Sequence, residues 1–324
     1  SFRAFVMPSF PTVTLSNGVK MPVIGLGTWQ ATDDSVKKAV EVALVEDHYP
    51  LIDTAAGYSN EHIIGEVLER LISEEKVKRE DVFLTTKVWT THLNPSRIEA
   101  ATRESLKKLR VDKIDLLLAH MPTAFDEEMK VQEKDVTVEQ IWKAMESIYD
   151  KGLVRAIGVS NWNASQIERV LKIAKVPIHN LQVELYLYWP QHELVEVCKK
   201  HNISITSYAS IGSPGRVNWT LPNGEKMIWA DAPNALEDPK VKELAHKYNK
   251  SPAQILLRYC LDRGVCVIPK SVTPARIHEN INIFDFKLTP EDIAALETTK
   301  HRQRLFMQEF MEGHPEDAFA SERK

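Results

Sequence analysis

The chain has 324 residues, of which 43% are hydrophobic and 27% are charged, a composition typical of a globular protein. Its formal net charge of -4 gives no basic excess, so we expect neither nucleic acid nor a membrane surface as a partner. The three cysteines form no Cys-x-x-Cys pair, no apolar run is long enough to span a membrane, and the first ten residues do not resemble a signal peptide. These features predict a cytoplasmic protein without a disulfide framework.

Short apolar runs recur along the chain, and each is followed by a longer segment with helical periodicity. Such near-continuous apolar strands are typical of a parallel sheet that is buried on both faces. The predicted strands lie at 23–28, 51–53, 82–87, 114–120, 155–160, 179–185, 203–209 and 265–271. The predicted helices lie at 33–47, 60–74, 95–109, 138–152, 164–174, 190–201, 239–250 and 251–264, with a short one from Pro274.

Eight strand-then-helix units in a chain of this length favour a closed (β/α)₈ TIM barrel. The alternative is a doubly wound open sheet, which usually has fewer strands and a glycine-rich first turn. The segment GLGTWQ at 25–30 lacks the third glycine of that turn, so it does not match the dinucleotide fingerprint. We therefore expect one barrel domain over residues 1–324.

Four segments lie outside the repeat. TVTLSNGVKMP at 12–22 has Asn17-Gly18 at its centre, which predicts an N-terminal β-hairpin that covers the bottom of the barrel. Residues 121–136, residues 210–234 and the tail from about residue 300 are long and irregular. Long irregular insertions are usually functional, and the first two follow strand ends, where barrel enzymes build their sites. We expect these long loops to shape a substrate pocket.

Four polar residues follow or end neighbouring predicted strands: Asp53, Tyr58, Lys87 and His120. In the simplest structural interpretation, Asp53 caps the helix that starts near Asn60, and Tyr58 covers it. Four chemically complementary groups at adjacent strand ends are better explained as a catalytic site, because barrel active sites lie at that end.

The chemistry of this set is that of a proton donor. A phenol has a reference pKa near 10, and a nearby ammonium lowers that pKa. Asp53 can keep Lys87 charged and oriented, and His120 can hydrogen-bond a substrate oxygen. This arrangement suits a carbonyl that is becoming an alcohol, with the hydride supplied by a cofactor. No sequence motif indicates a metal.

The last predicted strand is followed by a candidate phosphate site. Lys270 and Ser271 end the strand, and residues 273–280 open the next helix. Barrels commonly bind phosphate at this helix N-terminus, and Lys270 with Arg276 would suit the additional phosphate of NADPH. A solvated basic pair is the other interpretation. Ser160, Asn161 and Gln182 can hold a carboxamide, and Tyr208 can stack on a nicotinamide ring or belong to the core.

Over nearly its whole length the sequence resembles the aldo-keto reductases. The matching stretches are GLGTW, DTAAGYSNEHIIG, TTKVW, RAIGVSNW and IPKSVTPARIHEN. The resemblance implies a (β/α)₈ barrel that binds NADP(H) and reduces aldehydes or ketones without metal or flavin, with Tyr58 as the proton donor. It also implies cofactor contacts at Gly27, Thr28, Asp53, Ser160, Asn161, Gln182, Tyr208, Ser210, Lys270, Ser271, Val272, Thr273, Arg276, Glu279 and Asn280.

The substrate pocket is expected to combine family positions with residues of the long loops. Its candidate residues are Trp29, Tyr58, Trp89, His120, Met121, Phe125, Trp219, Trp229 and Phe306. Many family members carry Trp-Pro after the catalytic histidine, whereas this chain has Met121-Pro122. An aromatic wall is thereby replaced by a flexible thioether, which tolerates varied shapes.

Three functions are compatible with such a chain. The leading hypothesis is an NADPH-dependent carbonyl reductase that acts as a monomer on a small-molecule substrate. A second is a non-catalytic barrel that binds NADPH, although a pure binder has no need of an aligned acid. A third is a lyase or isomerase with Lys87 as a Schiff-base amine, which would need a lowered lysine pKa.

Overall fold

The computed structural model describes residues 8–221 and 223–323. Its strands are β1 (Thr12–Thr14), β2 (Lys20–Pro22), β3 (Leu26–Gly27), β4 (Leu51–Asp53), β5 (Phe83–Val88), β6 (Ile114–Ala119), β7 (Val154–Ser160), β8 (Asn180–Glu184), β9 (Ser204–Tyr208) and β10 (Cys266–Val267). Its α-helices are α1 (Asp33–Glu41), α2 (Glu61–Ser73), α3 (Pro95–Leu109), α4 (Val138–Asp150), α5 (Ala164–Leu171), α6 (His192–Lys200), α7 (Pro239–Tyr248), α8 (Pro252–Asp262), α9 (Pro274–Ile281) and α10 (Pro290–Leu296).

Strands β3 to β10 form one parallel sheet in which each strand pairs with the next along the chain. The two outer strands meet, because the Gly25 amide donates to the Val267 carbonyl at 3.0 Å and the Gly27 amide to the Pro269 carbonyl at 3.1 Å. A Cβ on Gly27 would lie 2.6 Å from the Ile268 carbonyl oxygen, so only glycine permits this approach. The predicted (β/α)₈ barrel is confirmed.

The N-terminal hairpin closes the bottom of the barrel, as predicted. Strands β1 and β2 pair antiparallel around the Asn17-Gly18 turn. Leu15 and Met21 of the hairpin are buried, and they belong to the hydrophobic cluster that fills the barrel interior. The other buried members of that cluster are Leu51, Phe83, Leu116, Leu118, Ala156 and Ile268. Apolar packing therefore occupies the bottom of the barrel and leaves polar residues to the opposite end.

The helix boundaries follow local signals. Pro95 starts α3 behind the cap residue Asn94, and Thr137 caps α4 in a reciprocal capping box. Past the end of α4, Gly152 has a φ of +73°, as a helix stop requires. The first predicted helix is divided, since α1 continues as a π-helical turn at Val42–Glu46. Helix α10 was not predicted.

None of the helices that the structure describes is long and apolar enough to cross a membrane. Instead they surround the sheet, with α2 packed against α3 and α3 against α4. The carboxyl ends of the strands therefore open toward the long loops. There Asp53 ends β4, Lys87 is the penultimate residue of β5, and His120 follows β6.

Candidate active site

Three predicted catalytic side chains meet at the carboxyl end of the barrel. The Lys87 ammonium Nζ lies 2.6 Å from Asp53 Oδ1 and 3.2 Å from the Tyr58 hydroxyl, and it also donates to the Thr54 carbonyl at 2.9 Å. Lys87 is fully buried and Asp53 is 2% exposed. Burying an ion pair costs desolvation free energy, which is offset only when the charged groups have well-placed partners. Here three oxygens surround the ammonium.

Asp53 is oriented by further bonds and does not cap a helix. Its second carboxylate oxygen accepts from the Gln182 side chain at 2.9 Å, and its carbonyl accepts from the Thr28 hydroxyl at 2.9 Å. Helix α2 begins after Asn60, with no side-chain cap hydrogen bond. The capping interpretation of Asp53 is therefore wrong.

The net shift of the Tyr58 pKa differs from the sequence-based expectation. Burial raises the pKa of Tyr58, and the Lys87 ammonium opposes that rise without reversing it. Burial also lowers the pKa of Lys87, but the Asp53 carboxylate and the Tyr58 phenol outweigh it, so the Lys87 pKa is raised. Lys87 therefore stays charged, and its effect is to keep a buried phenol more acidic than burial alone would leave it.

His120 lies beside Tyr58 and is uncharged. The two rings meet edge to face with centroids 5.7 Å apart, and Trp89 contacts the same imidazole at 5.0 Å. Burial, together with the charge on Lys87, lowers the pKa of His120 well below its usual range. At neutral pH the ring is a neutral imidazole that can donate one hydrogen bond. Its Nδ1 atom has no partner among the described residues.

Aromatic side chains from four segments pack together around Phe306. Phe306 of the tail contacts Trp29 at 5.4 Å, Tyr208 at 5.7 Å and Trp229 at 5.2 Å between ring centroids. Trp29 also contacts Trp219 at 6.2 Å. The long loop after β9 and the tail are thus brought over the barrel mouth, as their irregular sequences suggested.

Two predicted pocket residues are largely covered in the structure. Met121 is 2% exposed, and its sulfur accepts from the Asn161 side chain at 3.4 Å. Phe125 is 5% exposed and packs against Phe310, with centroids 5.8 Å apart. Phe310 also contacts Trp89 at 5.9 Å, so it completes the wall beside His120.

Polar residues that could bind a carboxamide lie beside Tyr208. The Tyr208 hydroxyl donates to Asn161 Oδ1 at 2.6 Å, and the Asn161 amide donates to the His120 carbonyl at 3.0 Å. Ser160 is within 3.3 Å of the same amide. Asn161 has a φ of +61°, a conformation that asparagine tolerates better than most residues. These contacts link the cofactor candidates to His120.

The predicted phosphate site lies at the start of α9. The Thr273 amide donates to the Ser271 hydroxyl at 3.0 Å, and Thr273 itself provides no side-chain cap to the helix. Within the described residues neither Lys270 nor Arg276 forms a salt bridge. Val272, Glu279 and Asn280 lie in the same strand-to-helix unit, whereas Ser210 is hydrogen-bonded to Ser207 at 2.7 Å.

Sequence reasoning missed two residues that shape the site. Asn60 is fully buried, and its amide bonds the carbonyls of Thr28 and Ala31 at 2.9 and 3.0 Å while its oxygen accepts from Thr54. An asparagine that follows a loop and precedes an apolar helix was the available signal. Phe310 lies in an irregular tail, and no local pattern indicated its contacts.

Comparison with known proteins agrees with this geometry. Residues 23–300 match the model of the Aldo/keto reductase family. The chain is 44% identical over 307 residues to aldo-keto reductase family 1 member A1-A of Danio rerio, covering 91% of each chain. It is 45% identical over 292 residues to family 1 member A1 of Gallus gallus, covering 87% of this chain and 86% of the relative.

Solved structures give the same result. The aldose reductase of Schistosoma japonicum superposes with a TM-score of 0.86 at 37% identity, covering 97% of this chain and 100% of that one. The aldo-keto reductase of Bombyx mori, crystallised in complex with NADP, superposes with a TM-score of 0.86 at 34% identity, covering 96% and 100%. On sequence and fold together, the chain belongs to the aldo/keto reductase family.

Proposed function

We propose that this protein reduces aldehydes or ketones to alcohols with NADPH, and that Tyr58 is the proton donor. The observation that carries the proposal is the buried Lys87 ammonium, 3.2 Å from the Tyr58 hydroxyl and 2.6 Å from Asp53, at the open end of the barrel. Membership of the aldo/keto reductase family supports the same chemistry.

Each polar residue has a distinct role in this scheme. The Tyr58 hydroxyl gives its proton to the carbonyl oxygen as negative charge develops there. Lys87 is a positioning residue that favours the phenolate left behind, and Asp53 keeps the ammonium in place. Neutral His120 donates a hydrogen bond to the substrate oxygen, which orients the carbonyl. The aromatic rings around Phe306 exclude water from the reacting atoms and strengthen these interactions.

The residues present fit NADP(H). When bound, the cofactor supplies the hydride that side chains cannot provide. Lys270 and Arg276 have no salt-bridge partner among the described residues and flank a helix N-terminus, a combination suited to phosphate. The nicotinamide end would be held by Ser160, Asn161, Gln182 and Tyr208. Cofactor contacts are also proposed for Gly27, Thr28, Asp53, Ser210, Ser271, Val272, Thr273, Glu279 and Asn280.

A Schiff-base mechanism at Lys87 is disfavoured by the same contacts. An amine nucleophile must lose its proton, and enzymes achieve this by lowering the lysine pKa. Here the Asp53 carboxylate and the Tyr58 phenol raise the pKa of Lys87 in spite of its burial. The ammonium is therefore held in its charged form.

We propose one domain over residues 1–324 and a monomeric enzyme, because the tail of the same chain supplies Phe306 and Phe310 to the pocket. Sedimentation at micromolar concentration would measure the oligomeric state.

The free, buried Cys198, Cys260 and Cys266 fit a reducing compartment, in keeping with a cytoplasmic location.

The test is turnover of an aldehyde, followed by loss of NADPH absorbance, in the wild type and in Tyr58→Phe. The substitution removes the proton and little volume, so we expect the rate to fall by about 10²–10⁴-fold while NADPH still binds. A variant that keeps more than half of the wild-type rate, where chemistry limits turnover, would show that Tyr58 is not the acid. A wild type that binds NADPH but reduces nothing would favour the non-catalytic alternative.

A further inference from the structure

A buried glutamate outside the predicted catalytic set holds the tail in place. Glu184 ends β8 and is fully buried. One carboxylate oxygen accepts from the Leu305 amide at 2.7 Å, and the other accepts from the Phe306 amide at 2.7 Å. A single carboxylate thus binds two consecutive backbone amides of an irregular segment 121 residues further along the chain.

The residues that follow β8 bind the same piece of tail. The Tyr186 hydroxyl donates to the Gln303 carbonyl at 2.9 Å, and the Gln303 amide donates to the Tyr188 carbonyl at 2.9 Å. Arg304 lies over the rings of Trp189 and Phe319. Of these anchoring residues, Glu184 is the one that bonds directly to the Phe306 backbone.

Phe306 connects this anchor to the pocket. Its ring contacts Trp29, Trp229 and Tyr208, which come from three other segments of the pocket. The position of the Phe306 backbone sets the position of its ring. Only the hydrogen bond to the Phe306 amide and the Phe306 side chain itself lie between the Glu184 carboxylate and the pocket wall. A change at Glu184 is therefore transmitted to the space available to a large substrate.

We propose that Glu184 is a positioning residue for substrate specificity, which fixes Phe306 against the carbonyl pocket through the Leu305 and Phe306 amides. The proposal rests on the proposed reductase function. It concerns binding of bulky substrates and not the chemical step, since Glu184 touches none of the predicted catalytic side chains within the described residues.

The groups around Glu184 act on its charge in opposite directions. Arg304 and the two amides favour the charged carboxylate, whereas Glu322, which pairs with Arg304, opposes it. Burial outweighs the favourable contacts and raises the pKa of Glu184 to about 7. The hydroxyl groups of Tyr186 and Tyr208 are the other titratable groups that face it.

The experiment compares Glu184→Gln with Glu146→Gln. Glutamine keeps one acceptor but turns an N–H₂ donor toward the second amide, so one of the two bonds is lost. Glu146 is a control at a second buried carboxylate: its Oε2 atom alone accepts from the consecutive amides of Lys175 and Val176, each at 2.6 Å, so glutamine there removes the charge but can keep both bonds.

For Glu184→Gln we expect KM for 4-nitrobenzaldehyde to rise roughly tenfold, the effect of losing one charged hydrogen bond, with kcat changed less than about twofold. KM for propanal and the dissociation constant of NADPH should not change. Hydrogen exchange should speed up at the Leu305 and Phe306 amides. Glu146→Gln should change none of these values.

Unchanged KM for both aldehydes in a folded Glu184→Gln variant would overturn the proposal, as would equal effects of the two variants. If Glu184→Gln does not fold, Glu184→Asp keeps the charge on a shorter arm, and an unchanged KM for 4-nitrobenzaldehyde in that variant would count against the proposal. Hydrogen exchange reports on the tail without turnover, so it separates failure of this inference from failure of the reductase function.

Discussion

At the scale of single residues, the buried ion pair between Lys87 and Asp53 affects both the stability of the fold and the proposed catalysis. Removing one member of a buried pair usually destabilises a protein by about 3–5 kcal/mol, because the other charge is left uncompensated. Loss of activity in a Lys87 variant is therefore ambiguous by itself. A second substitution that removes the stranded charge separates folding from chemistry.

We expect Lys87→Met to raise the pKa of Tyr58 further, since the ammonium is what opposes the effect of burial. Activity should fall by about 10²-fold or more, the typical value of general acid catalysis. In Lys87→Met with Asp53→Asn, thermal stability should recover because no charge is stranded, while activity stays low. Recovery of the rate in this double variant would show that Lys87 served the fold alone.

Arg276 tests the choice of cofactor. It is exposed in the first turn of α9 and would contact the phosphate that distinguishes NADPH from NADH. A charge-assisted hydrogen bond is worth about 1.5–3 kcal/mol, so Arg276→Met should weaken NADPH binding roughly tenfold to a hundredfold. NADH binding should barely change.

Titration of both cofactors by tryptophan fluorescence measures the effect. Arg103→Met is the matched control, because Arg103 is an exposed arginine of α3 whose ion-pair partner, Glu99, lies on the same helix. Equal weakening of NADPH and NADH by Arg276→Met would assign the residue to the fold and not to the phosphate.

At the scale of secondary structure elements, the two ends of the barrel are built differently. The hairpin of β1 and β2 closes the bottom by apolar packing, whereas loops and the tail assemble the top around buried polar groups. Stability and activity should therefore respond separately to changes at the two ends, as is general for barrels of this type.

Met21→Ala tests this separation. Met21 is 2% exposed in the interior cluster, so its truncation should cost about 2–5 kcal/mol of unfolding free energy through the cavity it leaves. Urea unfolding measures the loss, and kcat and KM should stay at wild-type values. Val131→Ala, at a site 61% exposed, should change stability by less than about 0.5 kcal/mol. A changed kcat in Met21→Ala would show that the two ends are coupled.

At the scale of the whole molecule, two buried groups give opposite pH dependences. Burial raises the pKa of Glu184 to about 7 from its usual value of 4.5, so its contribution to stability is present below pH 4.5 and lost as the pH rises through 7. Burial lowers the pKa of His179 from 6.5 to about 4, so its contribution is present above pH 6.5 and lost as the pH falls through 4. The two effects offset each other in nearly the same range.

The difference between wild type and Glu184→Gln isolates the glutamate. From pH 4.5 to pH 8 the wild type should lose roughly 3 kcal/mol of unfolding free energy relative to the variant, at about 1.4 kcal/mol for each pKa unit. Urea unfolding at several pH values gives this difference. A difference that is independent of pH would mean that Glu184 does not titrate in this range.

The sequence alone determined the barrel, the hairpin and the grouping of polar residues at one end of the strands. Alternation of apolar strands with periodic helices predicted the barrel, because each unit buries its own apolar face in a repeated way. Since parallel strands end at the same edge, Asp53, Lys87 and His120 were expected to lie close together before any distance was known. Turn residues such as Asn17-Gly18 likewise predicted the hairpin.

Only the tertiary structure decided what depends on contacts between distant segments. The net pKa of Tyr58 reflects the burial of the phenol as well as the charge on Lys87, and sequence shows only the charge. The tail has no periodic pattern, because the amides of Gln303, Leu305 and Phe306 bond to distant residues and the rest of its backbone forms only short 3₁₀ turns. Glu184 and Phe306 meet across the fold through a hydrogen bond to a backbone amide, a group that every residue except proline carries and that therefore leaves no trace in sequence.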